Sequence, residues 1–334
     1  MKLPPTLFLA SLACAQSWVG QTSGSDAGLR GVSAVSAKVV WASGGDGTYL
    51  TTNDGGATWQ VSKVPGAESL DFRGIRAIDA LTVLLVSSGA GDKARIYKTT
   101  DGGGRWTLLF TNPDATGFFD AIAFWDATHG IVLGDPVEGQ FAVWTTGDGG
   151  AHWQRQHTPP AVPNEGAFAA SNTCLFLLGN REAWFGTGGP GGARVFHSQD
   201  RGRSWSVAST PIRNDGVSAG VFSLAFSDSR HGIAVGGDYA KDQEERQNIA
   251  ITSDGGRTWT ARAGPVPKGF RSAVAYVPER KLWLVTGTSG SDVSTDAGKS
   301  WKLFDSGSYN AMSFAGSAGW AVGAHGKIAV FHAD

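Results

Sequence analysis

Cysteine is nearly absent: Cys14 and Cys174 are the only two among 334 residues. If the first fifteen residues are removed, Cys174 stands alone, so no internal disulfide framework is available. Cys174 sits in the apolar run Cys174-Leu175-Phe176-Leu177-Leu178 and reads as a small core residue rather than a nucleophile. Charge is scarce too. Charged residues make up 17% of the chain, the formal net charge is −1, and long Lys/Arg runs are missing. General attraction to nucleic acid or to an acidic membrane surface is thereby excluded. The seven histidines are scattered without HExxH or similar spacing, so no metal site is signalled. No G-x-G-x-x-G follows a strand and opens a helix, and no cofactor is expected.

Long apolar runs are also missing, and no membrane span is expected. The longest candidate, Leu3 to Leu12, follows Lys2 and precedes Ala13-Cys14-Ala15. This layout predicts an export signal over residues 1–15, cut after Ala15, and hence a periplasmic or extracellular protein. A lipoprotein reading would attach lipid at Cys14, but Ser11 stands where a leucine-type residue is wanted.

Glycine, at 48 residues, and tryptophan, at 13, are abundant. Both suit an all-β chain full of tight turns. One stretch, Thr52-Asn53-Asp54-Gly55-Gly56-Ala57-Thr58-Trp59, recurs as [S/T]-x-D-x-G-x-x-W. The copies pair Asp101 with Trp106, Asp148 with Trp153, Asp200 with Trp205, Asp254 with Trp259 and Asp296 with Trp301. The hydroxyl and carboxylate can bond nearby backbone N–H groups and close a turn. The glycine permits positive φ, and the tryptophan is an apolar anchor. The six aspartates therefore read as turn formers, not as paired catalytic carboxylates. A box tryptophan, if buried, should cost about 3–5 kcal/mol on truncation to alanine.

The box tryptophans lie 42 to 54 residues apart, a spacing typical of propeller blades. Each interval holds four short alternating stretches. In the first unit they are Gly31 to Ser36, Val39 to Gly44, Tyr49 to Thr52 and Trp59 to Ser62. A seventh unit opens at Ala311 and ends at Asp334, on the box aspartate position. Ser17-Trp18-Val19-Gly20 aligns with the stretch at Trp59. The N-terminal strand is thus expected to complete the last blade. The predicted fold is all-β: residues 16–334 form one seven-bladed β-propeller of four-stranded antiparallel blades, expected to be monomeric.

In such blades the boxes share a face with the first-to-second turns. Binding is expected at the other face, around the central channel. The residues entering the inner strands there are Arg30, Arg73, Asp120, Thr173, Phe222, Arg271 and Asn310. Glu165 lies in the long link Gln156 to Asn172. Second-strand ends add Asp46, Asp135, Asp238, Tyr239 and His325. Arg30, Arg73 and Arg271 are expected to converge near Asn310, faced by Asp120 and Glu165. Three arginines around a funnel suit an anion such as carboxylate or phosphate; alternatively the arginines and acids satisfy one another.

The box pattern resembles the Asp-box, or BNR repeat, of sialidases and many other β-propellers. The sialidase FRIP-type arginine motif is matched only by Phe72-Arg73-Gly74-Ile75-Arg76, without the proline and spacing. A tyrosine nucleophile with a glutamate helper is not evident, although Tyr309 is near the rim. Seven-bladed xyloglucanases use two propellers with a cleft between them, whereas one propeller is read here. Asp120 and Glu165 are the best pair for a glycoside hydrolase. Segments such as Phe124-Trp125-Asp126-Ala127-Thr128-His129-Gly130 and Phe226-Ser227-Asp228-Ser229-Arg230-His231-Gly232 look like the repeat of the photosystem II stability/assembly factor family. That resemblance implies a non-catalytic role, docking a protein or pigment-protein partner. The expectation is thus a binding or assembly propeller for a protein or anionic or carbohydrate ligand, with the glycoside hydrolase as alternative.

Overall fold

A computed structural model describes residues 16–333. The expected export signal, Cys14 and Asp334 lie outside the described residues. Seven four-stranded antiparallel sheets form the molecule. The first blade comprises Leu29–Ala34, Val40–Gly44, Thr48–Thr52 and Gln60–Lys63, from the inside outward. Blades two to six follow the same order, with inner strands Phe72–Ala77, Phe119–Phe124, Leu175–Leu178, Ala219–Phe226 and Ala273–Val277. The seventh takes Ala311–Ala315, Ala318–Val322 and Ile328–Ala333 from the end of the chain and its outer strand, Gln16–Gln21, from the beginning. Trp18 pairs with Phe331 in that closing ladder. The seven-bladed fold and its closure by the N-terminal strand are as expected. No helix among the described residues is long and apolar enough to cross a membrane.

Second and third strands are apolar on both faces because each sheet is covered by a blade on either side. Apolar side chains gather into seven clusters, one per interface between neighbouring blades. Box tryptophans seal these interfaces from the outer strand. Trp106 of blade two meets Tyr49 of blade one edge-on at 5.2 Å, and Trp301 of blade six joins the cluster holding Ile233 and Val235 of blade five. Burial differs among them. Trp259 and Trp301 are buried, but Trp59, Trp106, Trp153 and Trp205 are only half-buried. The truncation cost expected for a buried box tryptophan therefore applies to Trp259 and Trp301, and a smaller one to the four half-buried rings.

Each box closes as its residue types require. Thr52 Oγ1 donates to Asp54 Oδ1 at 2.7 Å and accepts from the Gly56 amide at 2.9 Å. Asp54 accepts from the Thr58 amide at 2.9 Å and from its hydroxyl at 2.6 Å. The pattern glycine has φ of 90° at Gly56 and 87° at Gly256, a region that L side chains avoid. First-to-second turns use aspartate as well: Asp126 Oδ1 accepts from the Thr128 and His129 amides, and Asp228 Oδ1 from those of Arg230 and His231. These turns of the box face are thus ordinary local chemistry, with their aspartates bonded within the turn.

Candidate ligand-binding site

Four inner strands carry a β-bulge in their first half. The ladder slips between Leu29 and Gly31, Phe72 and Gly74, Phe119 and Ala121, and Val221 and Ser223. The residues left out of register are Arg30, Arg73, Asp120 and Phe222. A bulge re-aims a side chain out of the strand's alternation. All four line one cavity of about 500 Å³ at the face opposite the boxes. Asp135, Tyr239 and Asn310 line it too, so the structure brings together seven of the residues singled out from the sequence. The link segment Ala167 to Ala170 lines it as well. A neighbouring cavity of about 840 Å³ shares Asp135, Ala167 and Phe168 with it.

The polar side of the cavity is unevenly paired. Arg73 Nε donates to Asp71 at 2.7 Å. Arg30, half-buried beside Arg73, has no hydrogen-bond or ion-pair partner among the described residues. Burial, then the Arg73 charge, lowers its affinity for its proton, opposed by Asp71. Asp120 is 1% exposed, and its Oδ2 is buried without a partner. Burial, then the nearby Asp135 carboxylate, pushes its carboxyl well above the usual range, against the pull of Arg73 and the Ala169 amide. Burial raises Asp135 as well, while the Ala167 amide donates to its Oδ1 at 2.9 Å. A buried carboxyl beside another carboxyl favours the neutral form.

Arg271, Glu165, Asp238, Asp46 and His325 do not line this cavity. Arg271 does not join Arg30 and Arg73: it is fully buried against Asp292, to which its Nε donates at 2.9 Å, and its Nη1 donates to Phe270 O and Ser289 Oγ. Asp292 stands two residues before the box serine Ser294, where the other blades carry Leu50, Tyr97, Trp144, Phe196 and Ala250. An acid at that core position draws the arginine inward. Glu165 lines the neighbouring cavity instead. Its oxygens accept from Arg194 Nε at 2.9 Å, Thr187 Oγ1 at 2.6 Å and the Val162 amide at 2.9 Å, and Arg194 Nη2 pairs with it also. Asp238 is buried, accepts from the Ala240 amide and lies 3.7 Å from Arg213. Asp46 and His325 are exposed and do not line the cavity. Tyr309 is packed against Trp18 in the core between blades six and seven, where burial pushes its hydroxyl up to about 12.

Two features escaped sequence reasoning. The first is an aromatic wall. Phe168 stacks on Phe222 at 3.7 Å and 11°, Phe270 meets Phe222 edge-on at 4.7 Å, and Tyr239 does so at 6.0 Å. The second is that the long link enters the channel and fastens the ring from within. Asn172 accepts from the Ile122 amide at 2.8 Å and donates to Ile122 O and Ile75 O, holding blades two and three. Ser171 donates to Ser272 O at 2.7 Å on blade six, and Thr173 bonds Ser223 Oγ at 2.7 Å on blade five. No group of three or more His, Cys, Asp or Glu among the described residues is arranged to hold a metal ion.

No known family matches the chain, and no curated protein is similar in sequence. Solved structures are similar in shape. YCF48 bound to a D1 peptide is 18% identical, with a TM-score of 0.68 over 95% of this chain and 97% of that one. YCF48 from Cyanidioschyzon merolae is 17% identical, with a TM-score of 0.67 over 95% and 99%. A GH74 xyloglucanase from Xanthomonas campestris is 16% identical, with a TM-score of 0.64 over 94% of this chain and 53% of that one. At these identities the likeness establishes the seven-bladed propeller alone.

Proposed function

We propose that the protein is an exported, non-catalytic binding propeller that takes an anionic ligand, or an anionic segment of a protein partner, in the cavity opposite the boxes. The observation that carries this reading is the Arg30 guanidinium, turned into the cavity by a bulge and lacking a partner among the described residues. Guanidinium is built for carboxylate or phosphate and cannot lose its charge at ordinary pH. Among its neighbours, Asp71 engages Arg73, and burial raises the proton affinity of Asp120 and Asp135. Shape similarity to a YCF48 that is bound to a D1 peptide supports a binding role. The test is ligand-induced thermal stabilisation across a panel of carboxylates, phosphates and acidic peptides. Wild type should be stabilised by at least one class and Arg30→Gln by none. An equal shift in both proteins would reject the site. Export belongs to the same proposal, and the secreted protein should begin at Gln16 on N-terminal sequencing.

A second reading, glycoside hydrolysis, has one specific observation in its favour: Asp120 is a buried carboxyl with raised proton affinity that lines a cavity. Glu165, its expected companion, is consumed by Arg194 and Thr187, which leaves Asp135 as the remaining carboxyl there. Turnover of aryl glycosides or polysaccharides that disappears in Asp120→Asn would establish this reading and sink the first.

A further inference from the structure

Charged and aromatic side chains fall mostly on opposite sides of the cavity, with Phe118 beside the charged group and Ser272 and Thr288 beside the aromatic one. Blades one to three contribute Arg30, Arg73, Asp120 and Asp135. The link and blades five and six contribute Phe168, Phe222, Tyr239 and Phe270. A ligand that satisfies both sides carries charge at one end and a flat apolar body at the other. On the polar side, Arg73 is paired with Asp71, so Arg30 supplies the guanidinium without an ion-pair partner among the described residues. Asp120 lines the cavity, and its Oδ2 is buried without a partner. A buried polar atom in that condition is stabilised by any ligand that completes its hydrogen bond.

The form of Asp120 decides which ligand can do so. The groups that face it are Arg73 from blade two, Asp135 from the second strand of blade three, the Cys174 thiol of blade four and the Ala169 amide of the link. Arg30 of blade one and Tyr239 of blade five line the same cavity. Ionised, Asp120 would seek a donor and would repel an anion. Neutral, it offers an O–H to an acceptor. Burial together with Asp135 favours the neutral form over the opposing pull of Arg73.

Resting on the anion-binding reading above, we propose that Asp120 is a specificity-determining residue: as the neutral acid it donates its hydrogen to a ligand carboxylate whose charge Arg30 holds, while the aromatic wall takes a planar apolar body. The chemical class selected is an aromatic monocarboxylate. A cation meets two arginines, a neutral amide leaves Arg30 unpaired, and a dianion finds only one guanidinium without an ion-pair partner among the described residues.

The probe is 2-naphthoate, measured by calorimetry on the full chain, with acetate, 2-naphthamide and 2-naphthyl phosphate as controls. Naphthoate should bind, and each control should bind at least about tenfold more weakly. Affinity should fall as pH rises through the ionisation of Asp120, because the anionic form repels the ligand. Asp120→Asn keeps a donor without a titration, so it should bind naphthoate with no such fall. Asp120→Leu should bind about tenfold more weakly at every pH. Should Asp120→Leu fail to fold, the pH profiles of wild type and Asp120→Asn decide. Naphthoate binding that is lost in Arg30→Gln yet has the same flat pH profile in wild type and Asp120→Asn would overturn the role of Asp120 and leave the anion site standing. Acetate or naphthyl phosphate binding as tightly as naphthoate would overturn the aromatic monocarboxylate. If no anion binds, or Arg30→Gln changes nothing, the underlying reading fails with it.

Discussion

Aspartate does opposite things on the two faces of this molecule. At the boxes it is ionised and saturated by donors. Hydrogen bonds from Thr58 and Thr52 hold Asp54 down from its ordinary value to about 2, bonds from Thr258 and Thr252 do the same for Asp254, and Asp296 also lies near 2. A carboxylate depressed on folding adds stability that is present above its unfolded value and lost as pH falls through its folded one. Melting temperature should therefore drop between about pH 4 and about pH 2. A flat melting temperature across that window, measured by circular dichroism, would contradict this account. Asp120 has the reverse sign: its folded form holds the proton more tightly, so its stabilising share is full at low pH and declines as pH rises. Backbone strain gives a second test. The residue before the pattern glycine is itself glycine in four boxes, but Arg201 and Ala297 occupy it at φ of 65° and 62°. Ala297→Gly should stabilise the protein by about 1 kcal/mol in urea denaturation, since alanine is strained in the left-handed region. The box turns were legible in the sequence because the Ser/Thr and Asp side-chain bonds that close them span four residues or fewer. Arg271 and Glu165 were not, because their partners, Asp292 and Arg194, lie 21 and 29 residues away and only the fold brings them close.

At the scale of elements, the bulges and the link decide where function can sit. Bulge residues were findable. Leu29-Arg30-Gly31, Phe72-Arg73-Gly74, Phe119-Asp120-Ala121 and Val221-Phe222-Ser223 share an apolar–variable–small order. Phe270-Arg271-Ser272 has that order too yet buries its arginine, so the triplet alone does not assign a side chain to the cavity. The link was illegible for a different reason. A Pro/Ala/Gly stretch carries no periodicity, and Asn172 bonds to Ile75 across 97 positions and Ser171 to Ser272 across 101. Read as a connection, it is in fact the internal fastening of the ring. Asn172 suits the place twice over, since it tolerates φ of 65° and offers both donor and acceptor to blades two and three. Asn172→Ala should cost about 2–4 kcal/mol, combining left-handed strain with backbone groups of Ile75 and Ile122 left unpaired. Asn172→Gly removes the bonds but not the φ, so it should cost about 1 kcal/mol less. Equal losses in the two variants would show that strain plays no part, and no loss in either would remove the link from the account of stability.

For the whole molecule, stability rests on a ring in which every blade needs two neighbours. Seven apolar clusters lie between blades, so no blade carries a core of its own. A ring held this way is vulnerable at the one blade assembled from both parts of the chain. There Gln16–Gln21 pairs with Ile328–Ala333 along six residues. The strand also ties its blade to both sides. Trp18 donates from its indole to Ser291 on blade six at 3.0 Å, and Gln21 donates to Gly55 O and accepts from Trp59 on blade one. Trp18 is 7% exposed and sits edge-on to Phe331 at 5.3 Å. Trp18→Ala should therefore cost about 3–5 kcal/mol. It should also broaden the unfolding transition, because the damaged contact is the one that closes the ring. Trp106→Ala is the matched control: the same residue type on an outer strand, half-buried, with an indole N–H that has no partner among the described residues. Its loss should be smaller and its transition sharp. Removing residues 16–21 altogether would bare the edge of Ile328–Ala333 to pairing with another chain, and size-exclusion chromatography should then show association. If Trp18→Ala and Trp106→Ala lower the melting temperature equally and with equal sharpness, closure contributes no more than any other interface, and the ring is held by its seven clusters and by the link in its channel.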